Sequence, residues 1–185
     1  WNLENRFTGW KDVPLTEQGI REAKASGRLM KKHNIAIDLV FSSVLIRANE
    51  TAKLAISEMI LSHLWNEKNE LIMISDQALN ERDYGDLVGL NKKETAEKYG
   101  KEQVHTWRRS YGVHPPGGES LADVVNRVKP YYETQIKPEL NKNKNILISA
   151  HGNSLRALMI CVGLYQEEEI SKVEIPTGSP FVIYY

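Results

Sequence analysis

The stretch Ile146-Leu147-Ile148-Ser149-Ala150-His151-Gly152-Asn153-Ser154 joins a short apolar run to a histidine and to the start of a helical pattern that continues to about residue 164. This order indicates a buried strand followed by a helix. In open α/β sheets, ligands collect where strands end, and helix N-termini there offer N–H groups to anions. We therefore predict that His151 faces an anion, that Gly152 permits close backbone approach, and that Asn153 caps the helix or donates to the ligand. A capped turn with a hydrogen-bonded histidine remains the alternative.

Strand and helix patterns alternate along the rest of the chain. Apolar runs predict strands over residues 39–41, 71–74 and 181–184, and helical spacing predicts helices over 16–30, 45–59, a segment ending at Gly100, 101–109 and a segment from 120 onward. Ser120 and Asp123 match a capping box, and Pro130 should bend the helix that they open. This alternation predicts an α/β fold, a three-layer sandwich with a largely parallel central sheet flanked by helices.

Composition limits the classes of function. The 185 residues are 41% hydrophobic, enough for one core, so we expect a single domain over residues 1–185. Lys and Arg total 24, as do Asp and Glu, and the absence of net charge argues against nucleic acid or membrane partners. The single cysteine, Cys161, excludes an internal disulfide, and no His or Cys spacing indicates a metal site. No apolar run is long enough to span a membrane, so we expect a cytoplasmic protein.

Several basic residues are candidates for binding phosphate. Arg47 stands in the first turns of the helix that follows the strand at 39–41, where a guanidinium can bind phosphate with two hydrogen bonds. Arg108 and Arg109 leave their helix about 100 degrees apart and could meet Arg47 only from different directions. Lys92 follows a glycine-containing turn. Each of these, taken by itself, is more often a solvated surface residue.

Glu81 lies in the charged loop Leu79-Asn80-Glu81-Arg82-Asp83-Tyr84-Gly85 and is the candidate general acid and base. Among phosphates, the like charge would raise the pKa of its carboxyl towards the range in which it can give and take a proton near neutral pH. Most loop glutamates face solvent, and spacing alone does not separate the two roles.

Taken together, these residues resemble the 2,3-bisphosphoglycerate-dependent phosphoglycerate mutases of the histidine phosphatase superfamily, from Trp1-Asn2 to Pro176-Thr177-Gly178. The resemblance is carried by the segments WNLENRFTGW (1–10), LTEQG (15–19), SVLIRA (43–48), LNERDYG (79–85), WRRS (107–110), PGGESL (116–121) and AHGNSLR (150–156).

The resemblance implies an isomerase of glycolysis and gluconeogenesis that interconverts 3-phosphoglycerate and 2-phosphoglycerate through a phosphohistidine and bound 2,3-bisphosphoglycerate, without a metal. It implies that Glu81 donates and accepts protons, and that His151 and Arg47 surround the phosphoryl group in transit. The substrate contacts it implies are Asn2, Thr8, Gly9, Arg47, Glu81, Arg82, Asp83, Tyr84, Lys92, Arg108, Arg109, Gly152 and Asn153. Relatives of this kind are often dimers or tetramers, so a homodimer or higher homo-oligomer is expected, with phosphoglycerates as its small-molecule partners.

The family's phosphorylated histidine lies in an Arg-His-Gly motif on a first strand, ahead of the position of Trp1. We expect that strand, and a tail after Tyr185, to lie outside these residues. The remaining histidines, at positions 33, 63, 105 and 114, sit in none of the motifs and are interpreted as surface or structural. Two other functions stay open, a phosphatase in which water accepts the phosphoryl group and a phosphometabolite-binding protein without a nucleophile. The basic residues Lys92, Arg108 and Arg109 favour the mutase.

Overall fold

The computed structural model describes residues 4–185, and this part of the chain contains three β-strands and eight α-helices. In chain order they are α1 (Glu17–Lys32), β1 (Leu39–Ser42), α2 (Ile46–Met59), β2 (Ile74–Ser75), α3 (Lys92–Tyr99), α4 (Lys101–Arg109), α5 (Leu121–Tyr131), α6 (Lys137–Leu140), β3 (Ile146–Ser149), α7 (Gly152–Cys161) and α8 (Glu167–Ile170). Short 3-10 helices cover Ser62–Leu64, Gln77–Leu79 and Gly85–Leu87, and a π-helix covers Tyr132–Ile136. None of the helices in residues 4–185 is both long and apolar enough to cross a membrane.

The sheet has β1 at its centre, paired in parallel with β2 on one side and β3 on the other. Successive side chains of a strand point to opposite faces. Val40 accordingly joins a core formed with α1 and α2, and Phe41 joins a core formed with α5 and α7. Helices therefore cover both faces of the sheet, and the predicted three-layer α/β sandwich with a parallel central sheet is confirmed.

The helix predicted over residues 16–30 is present as α1. The Thr16 side chain accepts the Gly19 backbone N–H at 3.1 Å, and Ala23, Gly27 and Met30 are buried on one face. A Cβ at Gly27 would lie 2.2 Å from the Ala55 carbonyl oxygen of α2. This glycine therefore sets how closely α1 and α2 approach each other.

The capping box predicted before α5 is present, since Ser120 Oγ accepts the Asp123 N–H at 3.1 Å and Asp123 Oδ2 accepts the Ser120 N–H at 2.8 Å. The helix continues through Pro130, and the π-helix Tyr132–Ile136 begins two residues later. Pro130 supplies no backbone N–H for the carbonyl four residues earlier, so α5 lacks one hydrogen bond on the N-terminal side of the π-helix.

Two strand predictions were wrong in extent or in kind. Only Ile74 of the run at 71–74 lies in β2, because Leu71 forms an isolated antiparallel bridge with Trp65 instead. Residues 181–184 form no strand, and Phe181 and Tyr184 are 58% and 94% exposed. A β-prone segment becomes a strand only when a sheet edge pairs with it, and this segment pairs with none in the described chain.

Candidate active site

A cavity of about 600 Å³ lies beside β3 and reaches the start of α7. Its walls come from α1 and α2 on one side and from Leu155 and residues 175–180 on the other, so it follows the edge of β3 that faces away from β1. No strand within residues 4–185 pairs with that edge. The predicted site residues that line the cavity are Thr8, Gly9, Arg47, Glu81, Tyr84, Lys92, His151 and Gly152.

His151 lies between β3 and α7, as the sequence predicts, but the N-cap residue of α7 is His151 and not Asn153. It is 9% exposed, and its Nε2 lies 2.8 Å from Ser43 Oγ at the end of β1. Burial lowers the pKa of His151 to about 4, assisted by the positive charges of Arg47 and Arg127 and opposed by Glu81 and Asp12. The imidazole is therefore neutral at physiological pH in the absence of a ligand.

Glu81 is half-buried, and one of its carboxylate oxygens is held by three N–H groups. Oε1 accepts the Arg82 backbone N–H at 2.7 Å, the Asn153 backbone N–H at 3.2 Å and Asn153 Nδ2 at 2.9 Å. Oε2 has no hydrogen-bond partner among the described residues, which leaves it available to exchange a proton at the cavity.

The pKa of Glu81 lies below its usual value. Burial raises this pKa, but His151, the Arg82 N–H, the Asn153 amide and the Arg82 charge together outweigh that effect. The sequence-based expectation of a raised pKa concerned a site filled with phosphates. Without phosphates, cations and N–H donors surround the carboxylate, so the shift runs in the opposite direction.

Arg127, to which the sequence analysis gave no role, anchors the loop that carries Glu81. Its guanidinium donates to the carbonyl oxygens of Ala78 at 2.6 Å and of Asn80 and Glu81, both at 3.0 Å. It also forms two hydrogen bonds to the Glu119 carboxylate, at 2.8 and 3.0 Å. Three of these five hydrogen bonds fix the backbone on which Glu81 stands, and the two to Glu119 hold the guanidinium in place.

Arg47 occupies the first turn of α2 and is held by the loop before α1. Its Nη1 donates to the Lys11 carbonyl at 3.0 Å and its Nη2 to the Gly9 carbonyl at 2.8 Å. Gly9 has a φ of +53°, a conformation that glycine adopts without strain. In the same loop, Thr8 Oγ1 is buried and has no hydrogen-bond partner among the described residues.

A second, smaller cavity lies behind Glu81 and gathers predicted residues that do not line the main one. Its walls include Arg82, Arg108, Arg109, Asn153 and Arg156. Arg82 is fully buried, and its Nε and Nη1 have no hydrogen-bond partners within residues 4–185, while its Nη2 donates to the Arg108 carbonyl at 3.3 Å. Arg109 turns to Glu174, with Nη2 2.7 Å from Oε1.

Lys92 faces the main cavity beside the aromatic ring of Phe7, with Nζ 5.8 Å from the ring centroid. Burial and the neighbouring Arg108 lower the pKa of Lys92, and Glu81 opposes them. An anion bound beside Lys92 would raise this pKa again, so Lys92 is suited to binding a negatively charged group.

Two predicted contacts differ in placement from the rest. Asp83 lines neither cavity, because its Oδ1 accepts the Gly85 N–H at 2.9 Å and its backbone N–H donates to Glu119 Oε2 at 2.8 Å. It supports the turn after Glu81. Asn2 lies outside the residues that the structure describes.

The residues that sequence reasoning missed are Ser43, Arg127, Arg156 and Glu174. Ser43 directly follows β1 and stands three residues before α2, a place where ligands collect in parallel sheets. Arg127 and Arg156 lie on helices that carry other polar residues as well, so no local pattern singles them out. Glu174 lies in a segment without regular structure, and no local pattern marks it.

Comparison with known proteins agrees with this architecture. The model of the histidine phosphatase superfamily (branch 1) matches residues 1–185. A 2,3-bisphosphoglycerate-dependent phosphoglycerate mutase of Rhizobium meliloti (strain 1021) is 50% identical over 98% of this chain and 83% of its own length. A protein of the same name from Mesorhizobium japonicum is 50% identical over 100% of this chain and 85% of its own length.

Among solved structures, a mycobacterial glucosyl-3-phosphoglycerate phosphatase has a TM-score of 0.75 at 24% identity and covers 94% of this chain and 79% of its own. At that identity the likeness shows the fold alone. The match over the whole chain and the relatives at half identity show more: this chain belongs to the histidine phosphatase superfamily, and within it to the family of the 2,3-bisphosphoglycerate-dependent phosphoglycerate mutases.

Proposed function

We propose that this protein interconverts 3-phosphoglycerate and 2-phosphoglycerate by way of a phosphohistidine, with 2,3-bisphosphoglycerate as its cofactor. The observation that carries the proposal is that Glu81, His151, Arg47 and Lys92 all line one cavity. The names of the relatives that are half identical to this chain support the same reaction.

The residues present fit a ligand with two phosphates and a carboxylate. Arg47 and Lys92 supply positive charge within the main cavity, and Arg82 and Thr8 carry buried donors without partners in residues 4–185. Buried donors are rarely left unsatisfied, so a polar ligand is the natural complement. When bound, 2,3-bisphosphoglycerate supplies the phosphoryl group that primes the nucleophilic histidine.

Arg47 and His151 bind the phosphoryl oxygens in this proposal. The planar guanidinium of Arg47 can donate two parallel hydrogen bonds to a phosphate, and it is already fixed by the loop carbonyls at residues 9 and 11. His151 is neutral in the empty site, and a neighbouring phosphate dianion favours its protonated form. The protonated imidazole then places positive charge beside the negatively charged oxygens of the phosphoryl group.

Glu81 transfers the proton of the substrate hydroxyl. Its Oε1 is held by three N–H groups, and Oε2 is free to accept the proton when that hydroxyl takes up the phosphoryl group. Its lowered pKa keeps it ionised in the empty site, and the negative charge of bound phosphates raises that pKa towards the range useful for both directions.

The nucleophilic histidine belongs, in this proposal, on a further strand at the free edge of β3. The cavity follows that edge and reaches His151 and Arg47, so a strand there would bring its last residues between them. In this proposal residues 1–185 form part of a single domain, and the protein is a cytoplasmic homo-oligomer.

The test is a mutase assay on the complete gene product, with 3-phosphoglycerate as substrate and 2,3-bisphosphoglycerate supplied or withheld. Formation of 2-phosphoglycerate that depends on the bisphosphate is the expected result. Release of inorganic phosphate without 2-phosphoglycerate would indicate a phosphatase instead, and no turnover would leave a binding protein.

The variant Glu81→Gln separates chemistry from folding in the same assay. The glutamine carbonyl can still accept the three N–H groups, but its amide cannot take a proton, so turnover should fall by about a hundred- to ten-thousandfold. Asp86→Asn is the matched control, an exposed carboxylate five residues further on. Equal turnover of Glu81→Gln and the control would remove Glu81 from the mechanism.

A further inference from the structure

Glu174 occupies a position at which it neutralises two arginines of the smaller cavity. Its Oε1 is 2.7 Å from Arg109 Nη2, and its Oε2 is 3.9 Å from Arg156 Nη2. The main chain beside it is fixed, since Arg156 Nε donates to the Val173 carbonyl at 2.8 Å and Val173 packs against the core. One carboxylate therefore spans two guanidinium groups.

The smaller cavity is otherwise rich in positive charge. Arg82, Arg108, Arg109 and Arg156 line it, and none of its lining residues is an aspartate or glutamate. Two donor nitrogens of the fully buried Arg82 have no partner in the described chain. Arg109 lies near enough to lower the pKa of Arg156, second only to burial. Such a cluster favours an anion, and Glu174 supplies one carboxylate. The cavity measures only about 10 Å³, so a ligand anion can enter only in place of that carboxylate.

Glu174 can be displaced. Its side chain is 69% exposed and that of Arg109 is 34% exposed, whereas that of Arg156 is 12% exposed. Exposed ion pairs contribute little stability, so a ligand anion can replace this one at low cost. The buried Arg156 would stay in place during the exchange and Arg109 would be released.

We propose that Glu174 is an internal competitor for an anionic group of the substrate, carboxylate or phosphate, at Arg109, and that Arg156 is a further arginine of that subsite. The proposal rests on the proposed function, which makes Arg109 a substrate contact. Glu174 would then set the affinity for phosphoglycerate without entering the chemistry.

The test compares Glu174→Gln with Glu168→Gln in the complete gene product. Both remove one negative charge, but Glu168 is an exposed residue of α8 without an ion pair among the described residues. For Glu174→Gln we expect KM for 3-phosphoglycerate to fall about two- to fivefold, the range that an exposed ion pair allows, with kcat changed less than twofold. Glu168→Gln should change neither, and Arg156→Gln should raise KM.

Calorimetric titration with 3-phosphoglycerate gives a readout that does not need turnover. A Kd that tightens in Glu174→Gln only, in the absence of mutase activity, would retain the subsite and reject the proposed function. Mutase activity with the same KM and Kd in Glu174→Gln and Glu168→Gln, or weaker binding in Glu174→Gln, would overturn the proposal that Glu174 competes with the substrate. Absence of 3-phosphoglycerate binding in every variant would reject both.

Discussion

His151 should make the stability of the fold fall between pH 7 and pH 5. Its folded-state pKa is lowered to about 4 from 6.5, so the unfolded chain binds this proton more readily. The part of the unfolding free energy that depends on a neutral His151 imidazole is therefore fully present above pH 6.5. It is lost as the pH falls towards 4. The shift corresponds to about 3 kcal/mol in total, of which about 2 kcal/mol is lost between pH 7 and pH 5.

Urea unfolding at pH 7 and pH 5 measures this loss, with His151→Gln as the reference. The wild type should lose about 2 kcal/mol more than the variant, because all other histidines are shared. Glu81 has a lowered pKa, so its own contribution is lost only below its ordinary value of 4.5 and lies outside this window. Equal losses in the two proteins, or an imidazole NMR titration of His151 near pH 6.5, would refute the buried neutral histidine.

Three further predictions test the supports of the site. Gly27→Ala places a methyl group against the α2 backbone and should lower the unfolding free energy by about 1–3 kcal/mol, measured by urea titration. Arg127→Met removes the ion-pair partner of Glu119, so it should lower the unfolding free energy by about 3 kcal/mol and reduce kcat. A wild-type kcat would show that the loop carrying Glu81 keeps its position without Arg127. Ser43→Ala removes one hydrogen bond to His151, so it should lower kcat about fivefold and shift the pH profile of kcat. Ser43→Thr should restore the wild-type kcat and profile, and an unchanged profile in Ser43→Ala would contradict this.

Much of the fold is written in local patterns that sequence analysis can interpret. The helix predicted over residues 16–30, the capping box at Ser120 and the helix over residues 101–109 depend on neighbours within four positions, and all three were predicted correctly. The segment 181–184 shows the limit of such reasoning. Its β propensity is strong, but a strand also needs an edge elsewhere in the sheet, and propensity does not say where that edge is.

The candidate site divides in the same way. The position of His151 at the end of β3 follows from a strand, a glycine and a helix in sequence, and it was predicted. Arg127 could not be predicted, because its role comes from carbonyl oxygens 46 to 49 positions away that only the folded chain brings within reach. The direction of the Glu81 pKa shift likewise depends on residues that are distant in sequence, first His151 and then Asn153, which lies 72 positions away.

The distribution of positive charge bears on the choice between mutase and phosphatase. A phosphatase needs a nucleophile and groups that hold one phosphoryl group, the part played here by Arg47 and His151. A mutase must also hold a second anionic group while the intermediate reorients. Lys92 on one side of Glu81 and the arginine cluster at Arg82 behind it provide this second positive region, and its buried donors without partners in residues 4–185 would be costly in an enzyme that never filled it. That cost favours the mutase.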